Sequence, residues 1–177
     1  MSEYASLVQR EFKEYSEPHR QMYEIICALL KNKPASLVEI GFGIGWGLQR
    51  LVEDNCISKY VGIEPCAASY KYVKGIVDED HVQLLNRSLL EFEPEESFEF
   101  SMCIEVIEHT DEDILQWFKK IRSFTKIASF ISTPDKNTDP HGIYTKDYVV
   151  DCLKDSGFTS VSKIEWQLPH TIFIAEV

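Results

Sequence analysis

The chain has 177 residues, 44% of them hydrophobic, and carries 18 Lys and Arg against 29 Asp and Glu, a formal charge of −11. Its apolar content excludes a disordered class, its charge argues against nucleic acid as a partner, and its length suits one domain spanning 1–177. The five cysteines (Cys27, Cys56, Cys66, Cys103, Cys152) form no CxxC pair, and no stretch is apolar and long enough for a signal peptide or a membrane span, so a reducing, cytoplasmic setting with no membrane contact is expected.

Residues 3–15 place Tyr4, Leu7, Val8, Phe12 and Tyr15 at helical spacing. After Pro18 a second helix sets Met22, Ile25, Ile26, Leu29 and Leu30 on one stripe and stops before Pro34. Residues 1–33 therefore read as a helical lid ahead of a core over 34–177. In the core, short strand-type runs alternate with helices: Ser36–Ile40 then Ile44–Glu53, Tyr60–Ile63 then Ala67–Val77, and His81–Leu85 before an acidic connection. Phe98–Ile104 precedes a helix carrying Ile114, Leu115, Trp117, Phe118 and Ile121, with Thr110 as its expected N-cap and acids in its first turn. Lys126–Ser132 is the fifth strand, and a helix over Thr145–Ser156 is closed by Gly157. The tail departs from this alternation. Thr159–Gln167 and His170–Val177 are separated only by Leu168 and Pro169, which allows a hairpin and no crossover helix. The pattern predicts an α/β fold whose mostly parallel sheet has one antiparallel strand near its edge.

The first strand runs into Gly41-Phe42-Gly43-Ile44-Gly45-Trp46-Gly47 and then a helix. Glycines there let the chain turn sharply and approach a ligand, and the helix start offers unpaired N–H groups; a tight turn without a ligand is the alternative. Glu64 ends the second strand, 21 residues after Gly43, at the spacing where a carboxylate accepts from ribose hydroxyls. The dinucleotide pattern G-x-G-x-x-G fails here, because Trp46 and Leu48 stand where its third glycine would fall; a nicotinamide dehydrogenase is disfavoured.

With Glu39, the run Glu39-Ile40-Gly41-Phe42-Gly43-Ile44-Gly45 resembles the E/D-x-G-x-G-x-G motif of the class I S-adenosylmethionine-dependent methyltransferases. The resemblance covers most of the chain. It extends through Glu64, through Glu105-Val106-Ile107-Glu108-His109 after the fourth strand, through Ser132-Thr133-Pro134, and through the closing hairpin. It implies a Rossmann-like three-layer sandwich around a seven-stranded sheet, with S-adenosyl-L-methionine as cofactor. Gly41, Phe42, Gly43 and Gly45 would then wrap the methionine and ribose part, and Glu39 would hold the amino group directly or through water. Glu64 would bind the ribose hydroxyls, Pro65 would pack on the adenine, Ser88 and Leu89 would lie at its edge, and Glu105 would face the methionine end. The sequence departs from the family after the third strand, where Asn86-Arg87-Ser88-Leu89 lacks the acid that many members place near the adenine amino group.

Methyl transfer from a sulfonium is an in-line displacement that needs alignment, and a base only where the acceptor loses a proton. His109 is the expected base with Glu108 as its orienter; the alternative is a His109 that only serves the start of the next helix. His141, in Pro140-His141-Gly142-Ile143-Tyr144-Thr145, resembles a family loop that approaches the acceptor, while Thr145 suits an N-cap. Tyr15 could cover the methionine end, and Cys103 reads as core.

The expected function is methyl transfer to an O or N atom of a small-molecule acceptor, because both regions where the family adds recognition domains are short. A fairly open cleft is expected, with a homodimer as one way to complete it. Two alternatives stand beside this reading. Glu105, Glu108, His109 and His141 match the magnesium ligands of metal-dependent RNA 2′-O-methyltransferases, although no basic patch is visible to hold RNA and no metal is expected. The chain could also be an idle cofactor-binding subunit. Ten acids and no Lys or Arg lie from Glu91 to Asp113. Glu91–Glu99 read as a solvated rim and Asp111–Asp113 as a helix start, which leaves Glu105 and Glu108 to face the site.

Overall fold

The computed structural model describes residues 16–30, 33–77, 79–138, 142–165 and 170–177. The helix expected over 3–15, Tyr15 and His141 lie outside them. Helix α1 spans Ser16–Leu30, so it begins before Pro18, whose missing N–H costs nothing in a first turn. There follow β1 (Ala35–Ile40), α2 (Trp46–Glu53), β2 (Ile57–Ile63), α3 (Ala67–Lys74), β3 (Val82–Leu85) and β4 (Phe98–Ile104). A 3-10 turn (Ile107–His109), α4 (Ile114–Phe124), β5 (Thr125–Pro134), α5 (Lys146–Asp155), β6 (Ser160–Glu165) and β7 (His170–Glu176) complete the order.

The seven strands form one sheet in the order β3-β2-β1-β4-β5-β7-β6. Strands β1 to β5 pair in parallel, and β7 runs antiparallel to both β5 and β6. This is the sheet expected from the sequence. Successive side chains of a strand point to opposite faces, so each central strand supplies two cores. On one face Met22, Tyr23 and Ile26 of α1 and Leu48 and Leu51 of α2 pack over Leu37, Tyr60, Met102 and Phe130. On the other, Trp117, Phe118, Ile121 and Phe124 of α4 and Val149 and Leu153 of α5 pack over Val38, Val61, Cys103 and Ile131. Fully burying each large side chain is worth about 1.5–3 kcal/mol, and the 3.6-residue stripes of α1 and α4 direct it onto the sheet.

Three expectations need correction. Asp113, not Thr110, caps α4: its Oδ1 accepts from the Leu115 N–H at 3.0 Å, while Thr110 accepts from Glu112 N–H in the preceding turn. Helix α2 starts at Trp46 rather than Ile44, because Gly45 at φ +85° stands in the left-handed region just before it. The acids of Glu91–Glu99 are mostly paired rather than merely solvated. Glu93 meets Lys120 at 2.7 Å, Glu96 pairs with Lys59, and Glu99 accepts from the N–H of Ser36 at 2.8 Å. Among the described residues no helix is long and apolar enough to cross a membrane.

Candidate functional site

Strand order reverses between β1 and β4, and in open α/β sheets that switch point opens a crevice at the carboxyl ends of the strands. The glycine turn leaves β1 there. Gly41, Gly43 and Gly45 all have positive φ (73°, 52° and 85°), which only glycine adopts without strain. A Cβ on Gly41 would come within 2.5 Å of Val106 Cγ2, so the turn lies directly against the segment after β4. A Cβ on Gly43 would meet nothing within 4 Å, which leaves that face of the turn open to a ligand.

Glu64 leaves β2 beside this turn. Its Oε2 accepts from Gly43 N–H at 2.9 Å and its Oε1 from Cys66 N–H at 2.8 Å, so the buried carboxylate is fixed in place. Each oxygen keeps a lone pair for a hydroxyl. Asn86 Nδ2 donates to the carbonyls of Glu64 and Pro65 at 2.8 and 3.0 Å, fastening the same corner from the end of β3.

Glu39 lies beneath the turn, 1% exposed, with Tyr23 of α1 donating to Oε1 at 2.9 Å and Tyr60 of β2 donating to Oε2. Burial pushes its carboxyl up to about 7, against the opposing pull of the hydrogen bonds from Tyr60 and Tyr23. Tyr23, buried in the core beneath α1, is therefore also the polar contact that carries α1 onto the site. Gly47 makes room for it, since a Cβ there would lie 2.2 Å from Tyr23 Cε1.

Beyond β4 the chain enters an unusual conformation: Glu105 has φ +54°, a region that costs a side-chain-bearing residue about 1–2 kcal/mol. The bonds it makes oppose that cost. Its N–H reaches Ser132 Oγ at 3.1 Å, Ser132 Oγ–H donates back to Oε1 at 2.7 Å, and His170 Nδ1 lies 2.9 Å from Oε2. Glu108 follows in the 3-10 turn, 8% exposed, and its Oε2 has no hydrogen-bond partner among the described residues. Burial first, and the Glu105 carboxylate second, push its carboxyl up to about 8. Thr133 and Thr171 face each other across β5 and β7, and both of their hydroxyls are buried and likewise without partners among the described residues.

The turn glycines, Glu39, Glu64 and Glu105 thus share one crevice, but other expected residues are placed differently. Phe42 and Leu89 are 3% and 2% exposed and turn their side chains into the two cores, leaving only main chain for a ligand. Ser88 gives both its N–H and its hydroxyl to Glu91 Oε2, at 3.0 Å each. Pro65 is exposed. His109 is exposed too, and its ring makes no hydrogen bond among the described residues, so Glu108 does not orient it. Nor do Glu105, Glu108 and His109 gather three ligand atoms within 4.8 Å of one another, as a preformed metal site would. Ser132 and His170 were missed as partners of Glu105. No spacing rule connects Glu105 to a histidine 65 positions later.

A family model described as a methyltransferase domain matches residues 38–131, more than half of the chain. The chain belongs to this methyltransferase domain family. The fold is shared with an S-adenosylmethionine-dependent methyltransferase from Archaeoglobus fulgidus at TM-score 0.78, with 15% identity and coverage of 99% of this chain and 100% of that one. The methyltransferase domain of bacterial CtHen1 aligns at TM-score 0.72 and 21% identity, over 90% of this chain and 99% of that one. Magnesium protoporphyrin IX methyltransferase from Synechocystis PCC 6803, solved with bound S-adenosylmethionine, aligns at TM-score 0.73 and 14% identity, over 93% of this chain and 82% of that one. No curated protein matches the sequence. Family and fold together identify a class I methyltransferase domain with a Rossmann-like sheet, whose cofactor is S-adenosylmethionine.

Proposed function

We propose that this chain transfers the methyl group of S-adenosylmethionine to an O or N atom of a small-molecule acceptor. In this reading Gly41, Gly43, Gly45 and the main chain of Phe42 surround the methionine and ribose part, and Glu64 accepts from the ribose hydroxyls with the lone pairs its two N–H contacts leave. Glu39, whose oxygens already accept from two tyrosines, acts on the amino group through water. Pro65, Ser88 and the main chain of Leu89 border the adenine. Glu105 faces the sulfonium end, where a fixed carboxylate favours the cation.

The observation that carries the acceptor reading is the group of buried polar atoms beside Glu105 that find no well-formed hydrogen bond among the described residues: Glu108 Oε2, Thr133 Oγ1 and Thr171 Oγ1. Buried polar atoms ordinarily have partners, and a small acceptor bearing hydroxyl or amino groups supplies them. Displacement at the methyl carbon forms the bond to O or N as the bond to sulfur breaks, and the sulfonium becomes a neutral thioether. The acceptor proton goes to an imidazole. Of the histidines among the described residues, His109 stands at the exposed rim and His170 is already held by a carboxylate; His141, the remaining candidate, lies outside the described residues.

Calorimetric titration with S-adenosylmethionine tests the cofactor site. Wild type is expected to bind one equivalent, and Glu64→Ala to bind at least ~100-fold more weakly through the loss of two charge-assisted hydrogen bonds. No binding by wild type overturns the proposal. Release of S-adenosylhomocysteine on addition of a panel of phenols, alcohols and amines separates an enzyme from an idle cofactor-binding subunit.

A further inference from the structure

At the opposite end of the strands from Glu64 and Gly43, three residues with metal-ligating side chains meet. Cys27 lies on α1, one turn after Tyr23; Asp54 ends α2; and Cys56 enters β2. The two sulfurs and a carboxylate oxygen of Asp54 all lie within 4.8 Å of one another. The meeting depends on a tight turn. Asn55 at φ +52° reverses the chain, and Cys56 N–H closes it on Leu51 C=O at 3.0 Å.

We propose that Cys27, Asp54 and Cys56 bind one thiophilic divalent cation of the zinc or cadmium kind, bracing α1 against the start of β2. Tetrahedral zinc with metal–sulfur bonds of about 2.3 Å needs its sulfurs about 3.8 Å apart, so the pair closes by at most about 1 Å. Both cysteines sit at the edge of the α1–α2 core, but polar groups reach the pair. Cys56 Sγ lies 3.8 Å from the carbonyl oxygen of Cys27 and 3.6 Å from that of Asp54. Arg50 binds Asp54 Oδ2 through Nε at 3.1 Å and Nη2 at 3.0 Å, which leaves Oδ1 for the ion.

Charge also balances. Two thiolates and one carboxylate against a divalent cation leave one negative charge, which the Arg50 guanidinium neutralises, and a buried site tolerates little else. Both cysteines are 1% exposed. Binding displaces both thiol protons, which leave to solvent as two metal–sulfur bonds form. Affinity rises with pH accordingly. Because Tyr23 and Cys27 share a face of α1, the same ion steadies the helix that covers Glu39.

Titration of the reduced full chain with Cd²⁺ in the ultraviolet, and with Zn²⁺ by calorimetry, tests the site without any methyl acceptor. Expected are one ion per chain, a thiolate-to-cadmium charge-transfer band, and release of two protons per ion. Cys27→Ser and Cys56→Ser should each weaken binding more than about 100-fold, and Asp54→Asn about 10-fold. Cys66→Ser, which removes an exposed thiol far from the group, should change nothing. Should the serine variants fail to fold, X-ray absorption at the zinc edge of wild type decides: two sulfur neighbours at about 2.3 Å support the site, and only oxygen and nitrogen neighbours overturn it. No bound ion, unchanged binding in the serine variants, or a Cys27–Cys56 disulfide formed by an oxidant in a chain whose reduced pair binds no ion also overturns it.

Discussion

Nδ1 of His170 lies 2.9 Å from Oε2 of Glu105, so the first residue of β7 holds the residue that follows β4. The two side chains are 13% and 7% exposed, which makes the bond stronger than a surface ion pair. His170→Ala leaves a buried carboxylate oxygen without its partner and should cost about 1–3 kcal/mol of stability in urea unfolding. In a Glu105→Gln background the same substitution should cost clearly less. Equal costs in the two backgrounds would show that the pair contributes nothing.

The same pair separates the histidines by role. With an acceptor that supports turnover, His170→Asn should lower kcat by about 100-fold or more if its ring takes the proton, with S-adenosylmethionine affinity unchanged. His109→Asn should leave kcat within a few-fold. The reverse ranking would return the base to the exposed rim of the 3-10 turn.

Gly47 and Gly43 should respond differently to alanine. At Gly47 the new methyl meets Tyr23 at 2.2 Å and Glu39 Oε1 at 2.9 Å, so α1 must shift, at an expected cost of about 1–3 kcal/mol in denaturant unfolding. At Gly43 the space is open and only the positive φ is penalised, by about 1 kcal/mol. There the methyl projects where the ligand is proposed to lie, so calorimetry should show cofactor affinity falling more than stability does.

Glu39 and Glu108 make stability depend on pH. Both carboxyls titrate higher in the fold, at about 7 and about 8, than in the unfolded chain, so between about pH 4.5 and 8 the native state binds more protons. Unfolding free energy must then fall as pH rises through that window, by up to about 3 kcal/mol from Glu39 alone, and level off above it. Glu39→Gln and Glu108→Gln, which cannot ionise, should each flatten the slope. A stability that rises from pH 5 to 8 in wild type would contradict these environments.

Much of this protein was legible in its residues. The alternation of strand-length apolar runs with 3.6-period stripes, and a final pair of runs too close for a crossover, specify a mostly parallel sheet with one reversed strand. Gly41, Gly43 and Gly45 announce a turn only glycine can make, and Glu64 follows at a spacing set by one β/α unit. These features are local, or repeat at a fixed period, so a linear reading finds them. Helix starts were less clear: several capping residues stand between Thr110 and Asp113, and which of them caps depends on where the chain leaves the 3-10 turn.

Contacts between distant elements escaped that reading. Tyr23 and Tyr60 look like core residues until helix and strand bring both hydroxyls to Glu39. Phe42 and Leu89 sit within the motif positions, yet they point into the cores because the sheet has two faces and a strand-end residue must take one. Glu105 has a hydroxyl and an imidazole for partners only because β5 lies beside β4 and β7 runs antiparallel to β5, which brings Ser132 and His170 to the same end of the sheet. Cys27 and Cys56 meet because α1 crosses the mouth of β2. The sequence specified which chemistry the chain carries and the period with which it folds; three-dimensional packing alone decided which of those groups touch, which are driven from water, and therefore which carboxyls keep a proton at neutral pH.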